Sequence, residues 1–242
     1  MYELRVEHHG DEPKMSHEEF DACAEDYDSQ LHRGLSLSGE NKEFFARGRL
    51  VHLAHCLKRL SFRPRKLLDY GCGTGDTVPH FLELLGAGSV VGVDASQKSL
   101  ELARREHAFP KVSYSLPADY VPDGTVDLAF CNGVFHHVPP IERRDVAQYV
   151  ADSLRPGGVF AFWENNPWNP GTRWIMSRVP FDKTAIMLWP RETRRLLRSV
   201  GLTVLSTDFC FVFPRALRML RPIERCLVRL PLGGQYQVLA RK

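Results

Sequence analysis

Residues 67–75, Leu-Leu-Asp-Tyr-Gly-Cys-Gly-Thr-Gly, constrain the fold more than any other stretch of the chain. An apolar run that ends in alternating glycines must turn sharply and lay bare its backbone, which is how a buried strand hands a ligand to a helix N-terminus. The dinucleotide fingerprint is G-x-G-x-x-G, whereas Gly71, Gly73 and Gly75 are spaced G-x-G-x-G with Asp69 two residues ahead of the first. The dinucleotide loop cradles a pyrophosphate; a carboxylate before the glycines suits a ligand with a cationic amine. A nicotinamide-dependent oxidoreductase is therefore the weaker reading. Asp94 closes the next apolar run, Ser89–Val93, where a carboxylate can accept hydrogen bonds from both ribose hydroxyls.

The texture around this motif is strand alternating with helix. Runs at 66–70, 89–93, 112–116, 126–131 and 158–163 read as buried strands, and helical stretches near 76–85, 97–105 and 141–154 separate them. Arg155-Pro-Gly-Gly158 reads as the corner that ends the last of these helices. Such alternation predicts a parallel sheet covered on both faces, with ligands at the carboxyl ends of the strands. Residues 16–60 read as a helical cap in two pieces, with Ser16 and Glu19 as a capping box. The expected organisation is one domain over 1–242: cap 16–60, core 64–165, a lid insertion 166–190, and a C-terminal part, 191–242, with a helix near 191–200 and strands near 202–213 and 235–241.

Composition excludes several classes. Hydrophobic residues make up 43% of the chain and charged ones 25%, near the average for a globular protein. No apolar stretch approaches the roughly 20 residues that span a bilayer, and Met1–Lys14 is polar, so a cytoplasmic protein is expected. The net charge of +3 conceals an asymmetry: residues 1–45 carry 12 acids and 4 bases, residues 191–242 carry 3 acids and 11 bases. The basic end suggests an anionic partner, but no module for nucleic acid is present. Six cysteines at 23, 56, 72, 131, 210 and 226 contain no C-x-x-C pair, and His52, His55 and Cys56 on one helix read as packing, so no metal is expected.

The glycine motif with Asp69 and Asp94, Pro117-Ala-Asp-Tyr120, Asp127–Val138 and Leu154-Arg-Pro-Gly-Gly158 together resemble the class I S-adenosylmethionine-dependent methyltransferases. Phe20-Asp-x-x-Ala24-x-x-Tyr27-Asp28 resembles the helical cap of their small-molecule branch, and the likeness covers about residues 18–165. The resemblance implies a Rossmann-like, doubly wound, seven-stranded α/β sheet whose last strand is antiparallel, with a helical N-terminal cap and an insertion after strand five. It implies S-adenosyl-L-methionine as cofactor, leaving as S-adenosyl-L-homocysteine. Gly71, Cys72, Gly73 and Gly75 would line its methionine and ribose, Asp69 would orient its amine, and Asp94 would hold its ribose. Ala95, Ser96, Ala118, Asp119 and Tyr120 would surround the adenine, with Asn132 and Gly133 near the methionine. Tyr27 and Arg47 or Arg49 would close over the carboxylate end.

A sulfonium methyl is already activated, so the protein mainly aligns the nucleophile about 3 Å from it. An acceptor that must lose a proton also needs a base, and His136, His137 and Glu164 sit where strands four and five end. Transfer to oxygen of a small organic acceptor, apolar or lipid-linked, is the favoured reading; a non-catalytic cofactor-binding protein is the rival. Trp168, Trp174, Phe181, Met187 and Trp189 supply aromatic and apolar surface to the lid. Arg215, Arg218, Arg221, Arg225 and Arg229 alternate with Leu217, Leu220, Ile223, Leu227 and Leu230 in helical rhythm. Residues 215–230 are thus expected to form a basic amphipathic helix, kinked at Pro222, that packs on the sheet or rests on an anionic membrane.

Overall fold

The computed structural model describes residues 39–178 and 185–242. The first piece of the expected cap, including Tyr27, lies outside the described residues, as does Phe181. The elements run α1 (Lys42–Arg59), β1 (Lys66–Tyr70), α2 (Val78–Leu85), β2 (Ser89–Val93), α3 (Gln97–Glu106), β3 (Val112–Ser115), β4 (Val126–Asn132) and α4 (Arg143–Ser153). They continue with β5 (Leu154–Asn165), α5 (Pro170–Met176), α6 (Pro190–Ser199), β6 (Thr203–Cys210), a 3-10 helix (Arg215–Ile223), α7 (Glu224–Leu227) and β7 (Gln235–Arg241).

The seven strands form one sheet in the order β3-β2-β1-β4-β5-β7-β6. β1 to β5 pair in parallel, and β7 runs antiparallel between β5 and β6. The expected seven-stranded sheet with its antiparallel last strand is what the chain forms. Successive strand residues point to opposite faces, and this sorts the core into two layers. Leu67, Phe130 and Trp163 pack under α1 and α2 with Leu50, Leu53 and Phe81. Leu68, Cys131 and Phe162 pack on the other face with Ala147 and Val150 of α4 and Leu197 of α6.

Two expectations are corrected. Arg155-Pro-Gly-Gly158 lies within the span of β5 and does not precede it: Val126 pairs with Leu154, and the ladder resumes with Leu128 against Val159. The bulge takes up the residues that cannot sustain a regular ladder, Pro156 without an N–H and Gly157 at φ +76°. The basic amphipathic helix is also not continuous. Its first part is a 3-10 helix interrupted at Leu217, Pro222 withholds an amide, and only one α-turn follows. No residue of either piece is buried, so the segment does not pack its apolar side on the sheet. It is tied instead at single points: Arg221 pairs with Glu40 at 2.7 Å and lies 4.4 Å over the Phe44 ring.

Candidate functional site

The order of strands reverses at β1, whose neighbours β2 and β4 lead the chain away in opposite directions. At such a switch point a crevice opens beyond the carboxyl ends of the strands. Asp69 near the end of β1, the glycine turn after it, Asp94 after β2 and Asn132 at the end of β4 all sit at this edge.

The three glycines of the turn have φ of +75°, +53° and +83°, but they do different work. Val134 fills the space where Gly71 would carry a Cβ, and Tyr114, Ala103 and His107 crowd the same position at Gly75. Beside Gly73 nothing lies within 4 Å, so Gly73 alone presents bare backbone to open space. The amides of the turn are engaged. Gly71 and Cys72 donate to the Val93 carbonyl at 2.7 and 3.1 Å, and Gly75 donates to Cys72 O at 3.0 Å. Gly73 donates to Asp94 Oδ2 at 2.8 Å. A pyrophosphate site needs amides directed at the ligand; this turn offers contour in their place. The thiol of Cys72 is buried, and a Cβ on Gly92 would lie 2.9 Å from its sulfur. Burial pushes that thiol well above its usual pKa.

Asp94 bridges the turn and the next helix. Its other oxygen, Oδ1, accepts the Ser96 amide at 2.9 Å, and Ser96 caps α3 by accepting from Ser99 N at 3.1 Å. A carboxylate offers about four acceptor sites, so both oxygens retain capacity for further donors. Asp69 is 2% exposed. Its Oδ2 and the Oδ1 of Asn132 are buried acceptors without a hydrogen bond among the described residues. Burial first, and the nearby Asp94 second, push the Asp69 carboxyl up to about 8 against the opposing charge of Arg49. Two buried acceptors short of donors fit an ammonium group, whose three N–H bonds and positive charge answer both.

That carboxyl has a consequence for stability without ligand. Asp69 keeps its proton in the folded state to about pH 8, whereas an unfolded aspartic acid loses it near 4. The folded state therefore binds more protons between these values, and stability is greatest below about pH 4 from this group and declines up to about pH 8. Urea unfolding at pH 5 and pH 8 is expected to show Asp69→Asn flattening that decline by roughly 1–3 kcal/mol.

The sequence treats His136, His137 and Glu164 as rivals; the structure joins two of them. His136 Nδ1 and Glu164 Oε2 are 2.6 Å apart, and Glu164 Oε1 accepts the His136 amide at 3.3 Å. Both side chains are buried, at 4% and 1% exposure. The His136 ring lies beside Gly133, where a Cβ would be 3.5 Å from Cε1. The His137 ring is 4.1 Å from that of His136, and burial and then its neighbour push it down to about 2, so it stays neutral.

Arg143, which sequence reasoning missed, fixes the loop that carries His136. Its Nε donates to Phe135 O and Val138 O at 3.1 and 3.0 Å, and its Nη2 donates to Ile186 O at 2.7 Å, within the 166–190 insertion. Ile186 N in turn donates to His136 O at 2.8 Å. Nothing in the sequence distinguishes this arginine from others on helix faces. Tyr149, also missed, donates to Pro117 O and Tyr120 O at 2.9 and 2.8 Å and so holds the turn after β3. Ala118 and Asp119 are exposed on that turn, Ala95 is half-buried, and the Tyr120 ring packs on Tyr149. Arg47 is not brought to the edge; it is exposed and pairs with Glu83 at 3.1 Å. Arg49 is the buried one, donating to Gln235 Oε1 at 3.1 Å on the Asp69 side of the sheet.

Comparison with known proteins bears on this geometry. Residues 67–158 match the methyltransferase domain family. Trans-aconitate 2-methyltransferase of Rhizobium leguminosarum bv. trifolii is 35% identical over 100 residues, 40% of this chain and 37% of that protein. N-demethylindolmycin N-methyltransferase of Streptomyces griseus is 28% identical over 121 residues, 46% of this chain and 49% of that protein. These matches span less than half the length of either relative. Among solved structures, a methyltransferase in complex with the Haloferax volcanii Trm112 activator is 19% identical at a TM-score of 0.64, covering 94% of this chain and 97% of that one. The open glycine edge and the two orphaned acceptors lie inside residues 67–158, the segment that is similar to the methyltransferase domain family.

Proposed function

We propose that the protein transfers the methyl group of S-adenosylmethionine to an oxygen of a small organic acceptor, leaving S-adenosylhomocysteine. The cofactor supplies, when bound, a methyl already activated by its sulfonium. The chain's residues do the rest. Gly73 gives it open backbone, Asp94 holds the ribose hydroxyls, and Asp69 and Asn132 take the donors of the amine. Arg49, buried on the Asp69 side, answers the carboxylate. The observation that carries transfer to oxygen is the buried His136–Glu164 pair beside Gly133. A carboxylate that accepts from Nδ1–H holds the neutral imidazole in the tautomer whose Nε2 can take a proton, and a hydroxyl acceptor has one to lose. Incubation with labelled cofactor and a panel of hydroxyl and carboxyl acceptors is the test. Acceptor-dependent S-adenosylhomocysteine formation is expected; tight cofactor binding with no turnover on any acceptor would favour a non-catalytic role.

A carboxylate acceptor is the second reading. A groove of about 320 Å³ is lined by Trp168, Trp189, Arg191, Glu192 and Arg195, which joins aromatic faces to two guanidinium groups. The trans-aconitate methyltransferases are among the relatives. A carboxylate is already ionised near pH 7 and needs no base, so this reading makes the His136–Glu164 pair dispensable.

An apolar or lipid-linked acceptor would need a way to the membrane. No helix among the described residues is long and apolar enough to cross one. Leu217, Met219, Leu220, Ile223 and Leu230 are exposed, with Met219 at 84%, in the same stretch as five arginines. Apolar side chains beside cationic ones suit an anionic lipid surface without spanning it. Sedimentation with vesicles is expected to recover the protein with phosphatidylglycerol-containing vesicles and not with pure phosphatidylcholine, and Met219→Asp with Leu220→Asp is expected to reduce that recovery at least about five-fold. No recovery with either vesicle would remove this contact.

A further inference from the structure

Four strands away from β1, a second polar group is buried in the sheet, outside the proposed reaction. His52 and Cys56 are four residues apart on α1 and so share one face of the helix. Beneath them, Trp163, Gln237 and Asp208 stand side by side across β5, β7 and β6, as register partners whose side chains leave the same face. His52 Nε2 is 3.1 Å from Asp208 Oδ2, Cys56 Sγ is 3.4 Å from His52 Nε2, and Cys56 Sγ is 3.7 Å from Asp208 Oδ2. We propose that His52, Cys56 and Asp208 form a binding site for a zinc-class divalent cation that clasps α1 to the β6–β7 edge of the sheet.

The geometry is the first argument. Zinc bonds of about 2.0–2.1 Å to nitrogen, 2.3 Å to sulfur and 2.0–2.2 Å to oxygen, set tetrahedrally, separate the ligand atoms from one another by about 3.3–3.6 Å. The three observed separations bracket that range without movement of the backbone. The donor set is the second argument: thiolate and imidazole together select zinc over magnesium or calcium, which prefer oxygen. The third lies around the triangle. Arg229 Nη1 is 2.9 Å from the opposite oxygen of Asp208, Oδ1, so its charge orients the carboxylate from the side away from the sulfur and imidazole. The buried Gln237 Nε2 and Trp163 Nε1 have no hydrogen-bond acceptor among the described residues, and the Trp163 ring is 5.8 Å from that of His52. Buried donors without acceptors are uncommon; an oxygen ligand completing the tetrahedron brings an acceptor into this layer. On ligation Cys56 releases its proton to solvent and its sulfur bonds the cation.

The test is metal binding by the full chain after treatment with chelator. Zinc titrated against a chromogenic chelator is expected to bind with one equivalent, and cobalt is expected to give a near-ultraviolet thiolate charge-transfer band. Cys56→Ser should abolish the band, and His52→Gln and Asp208→Asn should each weaken zinc at least about 100-fold. Cys226→Ser, at an exposed thiol, should keep both signals. Zinc should raise the melting temperature of the native chain and leave that of Cys56→Ser unmoved. Unchanged calorimetric affinity for S-adenosylmethionine in Cys56→Ser would show that the variant is folded and that the two sites are separate. A cobalt band that survives Cys56→Ser, or a zinc affinity equal in the native chain and all three variants, would overturn the proposal. So would the absence of any stoichiometric binding; the three side chains would then be only a hydrogen-bonded cluster.

Discussion

Glu164→Gln is expected to lower kcat by roughly 100- to 1000-fold on a hydroxyl acceptor, with little change in KM for the cofactor. The substitution keeps the shape of the side chain but replaces one acceptor oxygen by an amide donor. In the native chain, Glu164 Oε2 meets His136 Nδ1 at 2.6 Å and also accepts the Asn165 amide at 3.3 Å. A glutamine that keeps its oxygen on the His136 amide, where Oε1 now accepts, turns its NH2 toward the imidazole, which must then accept at Nδ1 and carry its proton on Nε2. That is the tautomer that cannot take a proton from an acceptor. His136→Asn should lose a comparable factor, and the two effects should not add, since each breaks the same unit. His137→Gln should change kcat less than about ten-fold, because burial and the neighbouring His136 already hold the His137 ring neutral.

The pattern of failure distinguishes the readings. With a hydroxyl acceptor, kcat should fall in both Glu164→Gln and His136→Asn. With a carboxylate acceptor, both variants should retain kcat within a few-fold, and the loss should fall instead on KM when Arg191 or Arg195 is replaced. Breaking a buried pair also costs stability, about 3–5 kcal/mol when one partner is left charged, so melting temperatures belong beside the kinetics. A variant that is folded and still fast on a hydroxyl acceptor would remove the base from the mechanism.

The strands and the glycine turn were legible because their signals are local. Apolar runs ended by Gly or Asp mark strands at a ligand edge whatever surrounds them, and Asp69 and Asp94 are placed by their distance from the turn. Three features were not legible. Which glycine is left uncovered depends on Val134, Tyr114, Ala103 and His107, none of them adjacent in sequence to the glycine it covers. The helical rhythm of 215–230 is real in the sequence, but Pro222 withholds an amide and no neighbouring surface supplies the packing that would enforce a helix. His136 with Glu164, 28 residues apart, and His52 with Asp208, 156 apart, become partners only through the sheet. Side-chain pairs across such separations are written in topology, and one chain's periodicity does not contain them.

Asp94→Ala is expected to weaken S-adenosylmethionine and S-adenosylhomocysteine by about 100- to 10,000-fold in calorimetric titration. The figure follows from two hydrogen bonds to a charged acceptor at about 1.5–3 kcal/mol each, with about 1.4 kcal/mol per ten-fold. The same carboxylate also accepts from the Gly73 and Ser96 amides, so alanine removes a ligand contact and loosens the turn together. Asp94→Asn separates the two. Its remaining oxygen can accept one of the amides, which preserves most of the turn, while its NH2 cannot accept from a ribose hydroxyl. An intermediate loss of about 10- to 100-fold in the asparagine variant is the signature of direct ribose contact. Equal losses in the two variants, with equal drops in melting temperature, would mean that Asp94 acts only by shaping the turn. NAD is the control ligand: it offers the same ribose to Asp94 but needs amides for its pyrophosphate, and those of Gly71, Cys72, Gly73 and Gly75 are already engaged. Binding of NAD within ten-fold of S-adenosylmethionine would show that the turn can release those amides, and would return the oxidoreductase reading to contention.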